Sequence, residues 1–194
     1  MMKTISAKDE ETKWRMERLF STAHYVAKES LAFKKFTGLC DLQERSGLDV
    51  GNNYRNEMKF KEFVSSIAAI EQEKYAKEIR DARFLCVLAD AATDKSVTEH
   101  LTVFVCYTDS NGIPSTQFSD LVSLQSADAS GITNAINKGL EAVQVDESVL
   151  SWKLVGCNFD GANVMIGANC GVSKKLGDQV GQPLCIIHCV AHKL

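Results

Sequence analysis

The chain has 194 residues, 45% of them hydrophobic and 24% charged, with a formal net charge of -3, a balance that fits one ordinary soluble domain, or a domain plus a helical extension. No run approaches the roughly 18 apolar residues of a membrane span, and Met1–Glu10 lacks the apolar core of a secretory signal, so neither a membrane partner nor secretion is expected. Charge divides unevenly: residues 1–80 carry 15 Lys and Arg against 13 Asp and Glu, and residues 81–194 carry 7 against 12, so the second stretch lacks the clustered cations that neutralise phosphate and gives DNA little support as a partner.

In chain order, apolar residues at Met16, Leu19, Phe20, Ala23, Val26, Ala27 and Leu31 recur at helical spacing and predict a helix over residues 11–33. Phe36, Leu39, Cys40 and Gln43 predict a second, stopped at Gly47. Phe60, Phe63, Val64, Ile67, Ile70 and Ile79 predict a third over residues 56–81, with Asn56 as its cap. Residues 1–81 thus read as an all-α packing segment, through which the chain could dimerise.

Strands begin after Asp81. Phe84–Leu88 is an unbroken apolar run, the pattern of a strand buried on both faces, and it delivers a carboxylate, Asp90. Leu101–Tyr107 and Thr116–Leu124 follow, joined to each other through Asp109-Ser-Asn-Gly112, a strong turn signal. Phe118, Val122 and Leu124 are expected on one face. Asp128 or Ser130 caps a helix containing Ile132, Ala135, Ile136, Leu140 and Val143. Trp152–Phe159 reads as a fourth strand ending at Asp160, Asn169–Val180 as a helix, Leu184–His188 as a fifth strand, and His188–Leu194 as the opening turn of a further helix. Cys86, Cys106, Cys157 and Cys185 lie in apolar runs as free buried thiols do, the usage of a reducing, intracellular compartment.

Strand-strand-strand-helix-strand-helix-strand is the order of an α/β, RNase H-like fold: a mixed sheet of three antiparallel strands, then parallel strands reached by helical crossovers, here preceded by the all-α segment. The predicted domains are residues 1–81 and 82–194. In that topology the first and fourth strands are central neighbours. Asp90 and Asp160 then stand about one strand spacing, roughly 5 Å, apart. Paired carboxylates suit a divalent cation with oxygen ligands, Mg²⁺ or Mn²⁺, and metals held this way can activate water against a phosphodiester. A lone Asp at a strand end more commonly caps the next turn. Gly161-Ala-Asn and Gly167–Gly171 have neither Walker nor dinucleotide spacing and read as tight turns.

The run Phe84–Asp94, Phe-Leu-Cys-Val-Leu-Ala-Asp-Ala-Ala-Thr-Asp, resembles the first catalytic block of hAT-type transposases and their domesticated, zinc-finger-bearing vertebrate relatives. Cys157-Asn-Phe-Asp-Gly-Ala-Asn-Val-Met165 resembles the second block, followed by Gly171-Val-Ser. His188-Cys-Val-Ala-His-Lys-Leu194 resembles the family's Cys-x-x-His signature. The resemblance implies that Asp90 and Asp160 are the first two metal-binding acids of a DDE-type core, acids that a domesticated relative can keep as vestiges, and that Cys189 and His192 are the signature pair. Cys189 and His192 are two candidate ligands where structural zinc usually takes four, so zinc is not expected. The third acid of such transposases lies far downstream of their second block. The expectation is a truncated core, a domesticated and catalytically inactive module that binds or scaffolds other proteins in the nucleus, the cytoplasm being the other intracellular site. The alternatives are a fragment of a metal-dependent polynucleotidyl transferase or nuclease and, behind both, a SUMO-ligase-like protein with an hAT core.

Overall fold

The computed structural model describes residues 7–95, 97–109 and 111–189. The chain divides between Glu71 and Gln72 into two compact units. The first contains α1 (Ala7–Lys28), α2 (Lys35–Arg45) and the opening turns of α3 (Glu57–Asp81). Leu19, Ala23, Val26, Phe36, Cys40, Val50, Phe60 and Phe63 form its core, and Phe20 and Phe36 pack against Phe63 and Phe60 with ring centroids 4.6 and 5.4 Å apart. The carboxamide oxygen of Asn56 accepts from the Lys59 amide at 2.9 Å, the cap its position predicts. The half-buried Arg55 guanidinium is paired with both Asp41 and Glu44. Ile70, placed on the buried stripe by periodicity, is instead 67% exposed.

The second unit is built on a five-stranded sheet in the order β3-β2-β1-β4-β5. β1 (Leu85–Thr93), β2 (Glu99–Thr108) and β3 (Pro114–Ser123) form an antiparallel meander. After α4 (Ala129–Glu141) and α5 (Glu147–Lys153), β4 (Leu154–Phe159) returns parallel to β1. After α6 (Asn163–Ile166) and α7 (Val172–Val180), β5 (Cys185–His188) adds parallel to β4. This is the mixed α/β architecture read from the order of elements. Gly112, with φ of +78°, closes the β2–β3 loop by donating to the Asp109 carbonyl, a backbone conformation that glycine adopts without steric cost.

In the second unit the structure departs from the expected pattern at several points. β1 is not buried on both faces: Leu85, Val87 and Ala89 face the helices and are buried, whereas Cys86 and Leu88 are half-buried on the opposite face. β2 alternates in the same way, with Leu101, Val103, Val105 and Tyr107 inside. Of the four cysteines read as buried, Cys157 alone is so; Cys86 and Cys106 are half-exposed and Cys185 is exposed. Lastly, α5 occupies the start of the predicted fourth strand, and Trp152 within it is 85% exposed.

A bulge separates the expected neighbours Phe118 and Val122. Val103 pairs with Asp120 while Phe104 pairs with Phe118, which leaves Ser119 as the extra residue. Val122 therefore packs inward, and Phe118 and Leu121 both point to the opposite face, 47% and 52% exposed. The Ser119 hydroxyl, fully buried, donates to the Gly139 carbonyl at 2.6 Å. At Gly139 α4 approaches β2 closely: a Cβ there would stand 2.8 Å from a methyl of Val103.

The starts of α4 and α5 are capped by carboxylates. Asp128 accepts from the Gly131 amide at 2.8 Å and Asp146 from the Val149 amide at 2.9 Å. The Gly131 amide, then the Ser126 hydroxyl, holds the Asp128 carboxyl below its ordinary value; the Ser148 hydroxyl, then the Val149 amide, does the same for Asp146. A carboxyl depressed by folding contributes stability that is complete above its unfolded value, near about pH 3.9, and is lost as pH falls through the lower folded value. Melting temperature followed downward from neutral pH is therefore expected to fall less steeply in the acid limb for the Asp128→Asn/Asp146→Asn double variant than for the natural sequence, since asparagine still caps but does not titrate. Parallel acid limbs would show that the caps do not carry this dependence.

Candidate functional site

The two acid blocks meet at the carboxyl ends of the parallel strands, where a sheet of this kind leaves its crevices. β1 pairs with β4 through Val87–Cys157 and Leu88–Asn158. Continued by two residues along each strand, that register brings Asp90 level with Asp160. β5 extends the level. Phe159 pairs with His188, and the Cys189 amide donates to the Phe159 carbonyl at 2.9 Å, which sets Cys189 beside Asp160. Asp90 and Asp160 each lie two residues past the last β1–β4 pair, and Cys189 one residue past the last β4–β5 pair. His192 lies outside the described residues.

The settings of the two acids differ. Asp90 does not end its strand: β1 continues through Ala91 and Ala92 to Thr93, and Asp90 sits within the ladder opposite Thr102. Pairing with β2 carries the chain past the point where the apolar run stops. The Asp90 side chain is exposed. Asp160 directly follows the last residue of β4, is half-buried, and accepts from the Ala162 amide at 3.2 Å, the local turn-capping that an Asp at a strand end commonly performs. Asp160 also lines a cleft of about 160 Å³ with Ala91, Ala92, Thr93, Val164 and Met165, which Asp90 does not line. The cleft receives one of the two acids.

A Cβ at Gly161, next along the chain, would meet the His188 Nδ1 at 3.5 Å, an ordinary contact. Gly167 and Gly171 form a tight turn: a Cβ on Gly171 would come within 2.4 Å of the Gly167 nitrogen. A cation that takes oxygen ligands, as Mg²⁺ and Mn²⁺ do, would need both carboxylates, Asp90 and Asp160, and the cleft that Asp160 lines does not include Asp90. Among the described residues no group of three or more His, Cys, Asp or Glu side chains is assembled to hold a metal ion.

One polar chain near this level escaped the sequence reading. His100, opposite Ala92, lies between Asp94 and Ser123: its Nε2 is 3.2 Å from the Asp94 carboxylate and its Nδ1 is 3.2 Å from the Ser123 hydroxyl. Asp94 also accepts from the Thr98 amide. These contacts tie the β1–β2 connection to β3. The signal available in the sequence was the Asp-x-x-x-Thr spacing of a side-chain-closed turn.

A mixed sheet of this order, helix-covered on one face and carrying an acid near the ends of β1 and β4, defines the second unit as an RNase-like α/β domain. The chain belongs to the family described as the ZMYM1/FAM200 RNase-like domain, which matches residues 49–171. That family is the hAT-like, zinc-finger-associated one, so the resemblance carried by the acid blocks holds at the level of the family. The matched segment includes Asp90 and Asp160 and stops before Cys189. Among solved structures, the crystal structure of human ENDOV is similar to this chain with a TM-score of 0.31 and 15% identity, over 63% of this chain and 58% of that chain. Among the described residues no helix is long and apolar enough to cross a membrane.

Proposed function

We propose that this chain is a transposase-derived domain kept as a binding or scaffold module of the nucleus, and that it does not cleave nucleic acid. The observation that carries the reading is the chemistry of the sheet around the acids. None of the five strands contains a Lys or an Arg, while β1, β2 and β3 contain Asp90, Glu99 and Asp120. A nuclease must hold a polyanion against its acids, and phosphate contacts are made mainly by cations. On the open face the apolar side chains of Phe118 and Leu121 stand exposed instead, a surface better suited to protein than to phosphate. The functional division of the chain is taken at residue 81, where α3 ends. Helical residues 1–81 then form a packing or pairing segment of their own, and residues 82–194 the RNase-like domain.

The test is a cleavage assay on labelled single- and double-stranded DNA and RNA with Mg²⁺ or Mn²⁺, comparing the natural chain with Asp90→Asn and Asp160→Asn. No metal-dependent product above the level of the two variants is expected. Cleavage that both substitutions abolish would overturn the proposal. It would establish the second reading, a metal-dependent polynucleotidyl transferase or nuclease of which this chain is a piece. The alignment of Asp90 with Asp160 by strand register is the observation that favours that reading.

A further inference from the structure

Three thiols lie in one transverse row on the open face of the sheet. Cys86 of β1 pairs directly with Cys106 of β2. On its other side Cys86 pairs with Gly156 of β4, which in turn pairs with Cys185 of β5. Direct partners on antiparallel strands have Cα atoms about 4.5–5.5 Å apart and side chains on the same face. A disulfide accepts a Cα separation of about 4.4–6.8 Å. Cys86 and Cys106 fall inside this window. Cys185 is two strands from Cys86, about 9–10 Å at the usual strand spacing, which no disulfide spans without backbone movement. Cys157 is on neither of these positions: it is buried on the helical face.

We propose that Cys86 and Cys106 are an oxidisable dithiol, a modification site that closes to a cross-strand disulfide on the open face. Both are half-exposed, so a small oxidant can reach them. The chemistry takes a peroxide as oxidant. One thiol is oxidised by hydrogen peroxide to a sulfenic acid with release of water. The facing thiol then attacks the sulfenic sulfur, the S–O bond breaks, and a second water leaves as the S–S bond forms. In sum two thiols and one peroxide give one disulfide and two waters. Burial, then the neighbouring Cys106 and Cys185, raises the Cys86 thiol above its ordinary value. Cys86 is therefore held as the thiol at neutral pH rather than standing as a ready thiolate. A closed bridge ties β1 to β2 four residues before Asp90, on the same face.

The experiment uses the full chain. It is treated with hydrogen peroxide, remaining thiols are capped with N-ethylmaleimide, and a non-reducing digest is read by mass spectrometry. A linked pair of peptides carrying Cys86 and Cys106, lighter by two hydrogens and separated by dithiothreitol, is expected in the natural chain and in Cys185→Ser. It is expected to vanish in Cys106→Ser. A second measurement needs no variant: phenylarsine oxide, which bridges neighbouring thiols, is expected to protect Cys86 and Cys106 from N-ethylmaleimide together. Separate capping of both thiols after peroxide, a Cys86–Cys185 linkage, or protection of only one thiol by the arsenical would each overturn the proposal.

Discussion

Replacing Phe159 by alanine is expected to lower the stability of the RNase-like unit by about 3–5 kcal/mol, the usual cost of emptying a buried aromatic site. Phe159 is 1% exposed and belongs to the core formed with Leu85, Ile136, Leu154 and Leu176. It ends β4, so the cavity would open directly under the level of the two acids. A folded domain commonly has only about 5–15 kcal/mol in hand, and the loss is a large fraction of that. Hydrogen exchange at the amides of β1 and β4 is the measurement, since protection there follows the opening of the sheet. A loss under about 1 kcal/mol would mean that Phe159 is not packed in this core, by the same range.

The second large effect is expected at Gly156. Any side chain there collides with β5: a Cβ would be 2.8 Å from the Cys185 carbonyl oxygen and 3.4 Å from both the Cys185 Cβ and the Cys86 sulfur. The carbonyl belongs to the backbone, so the strands themselves must move apart. Gly156→Val is expected to release β5 and raise exchange at Ile187 and Cys189, at a cost of at least about 1–3 kcal/mol, the range for overpacking a filled site. The β1–β2–β3 meander, which the added Cβ meets only at the Cys86 side-chain sulfur, is expected to keep most of its protection. Unchanged protection of β5 would contradict the close approach of β4 and β5. The same variant separates the two halves of the candidate site, because it displaces Cys189 while leaving Asp90 in the β1–β2 ladder.

The features of the fold legible in the sequence are those decided locally. Asn111-Gly112 marked the β2–β3 loop, Asp128 marked the start of α4, and the helical stripe of Phe60 and Phe63 marked α3, each because a turn, a cap or a periodicity acts within a few residues. The one-sided burial of the sheet was not legible. Phe84–Leu88 and Leu101–Tyr107 are apolar on both faces, and nothing within either strand tells which face a helix from elsewhere will cover. The bulge at Ser119 depends on how β2 meets β3, so the alternation Phe118, Val122, Leu124 suggested a shared face that the ladder divides. α5 was hidden because Val149, Leu150 and Trp152 fit a strand as readily as a helix; only the Asp146 cap distinguished them. At the site, the parallel pairing of β1 with β4 followed from topology. The exit of β1 beyond Asp90 did not, since Ala91 and Ala92 have weak strand preference and are held by pairing with β2.

β1 is antiparallel to one neighbour and parallel to the other, and this has a kinetic consequence. The meander on its antiparallel side closes through two short connections, whereas β4 reaches it only after β2, β3, α4 and α5 have been laid down. Contacts between distant segments carry the larger loop-closure entropy and form later. The hairpin strands are thus expected to assemble first, carrying Asp90, and the crevice beside Asp160 to come into being only in the last stage of folding.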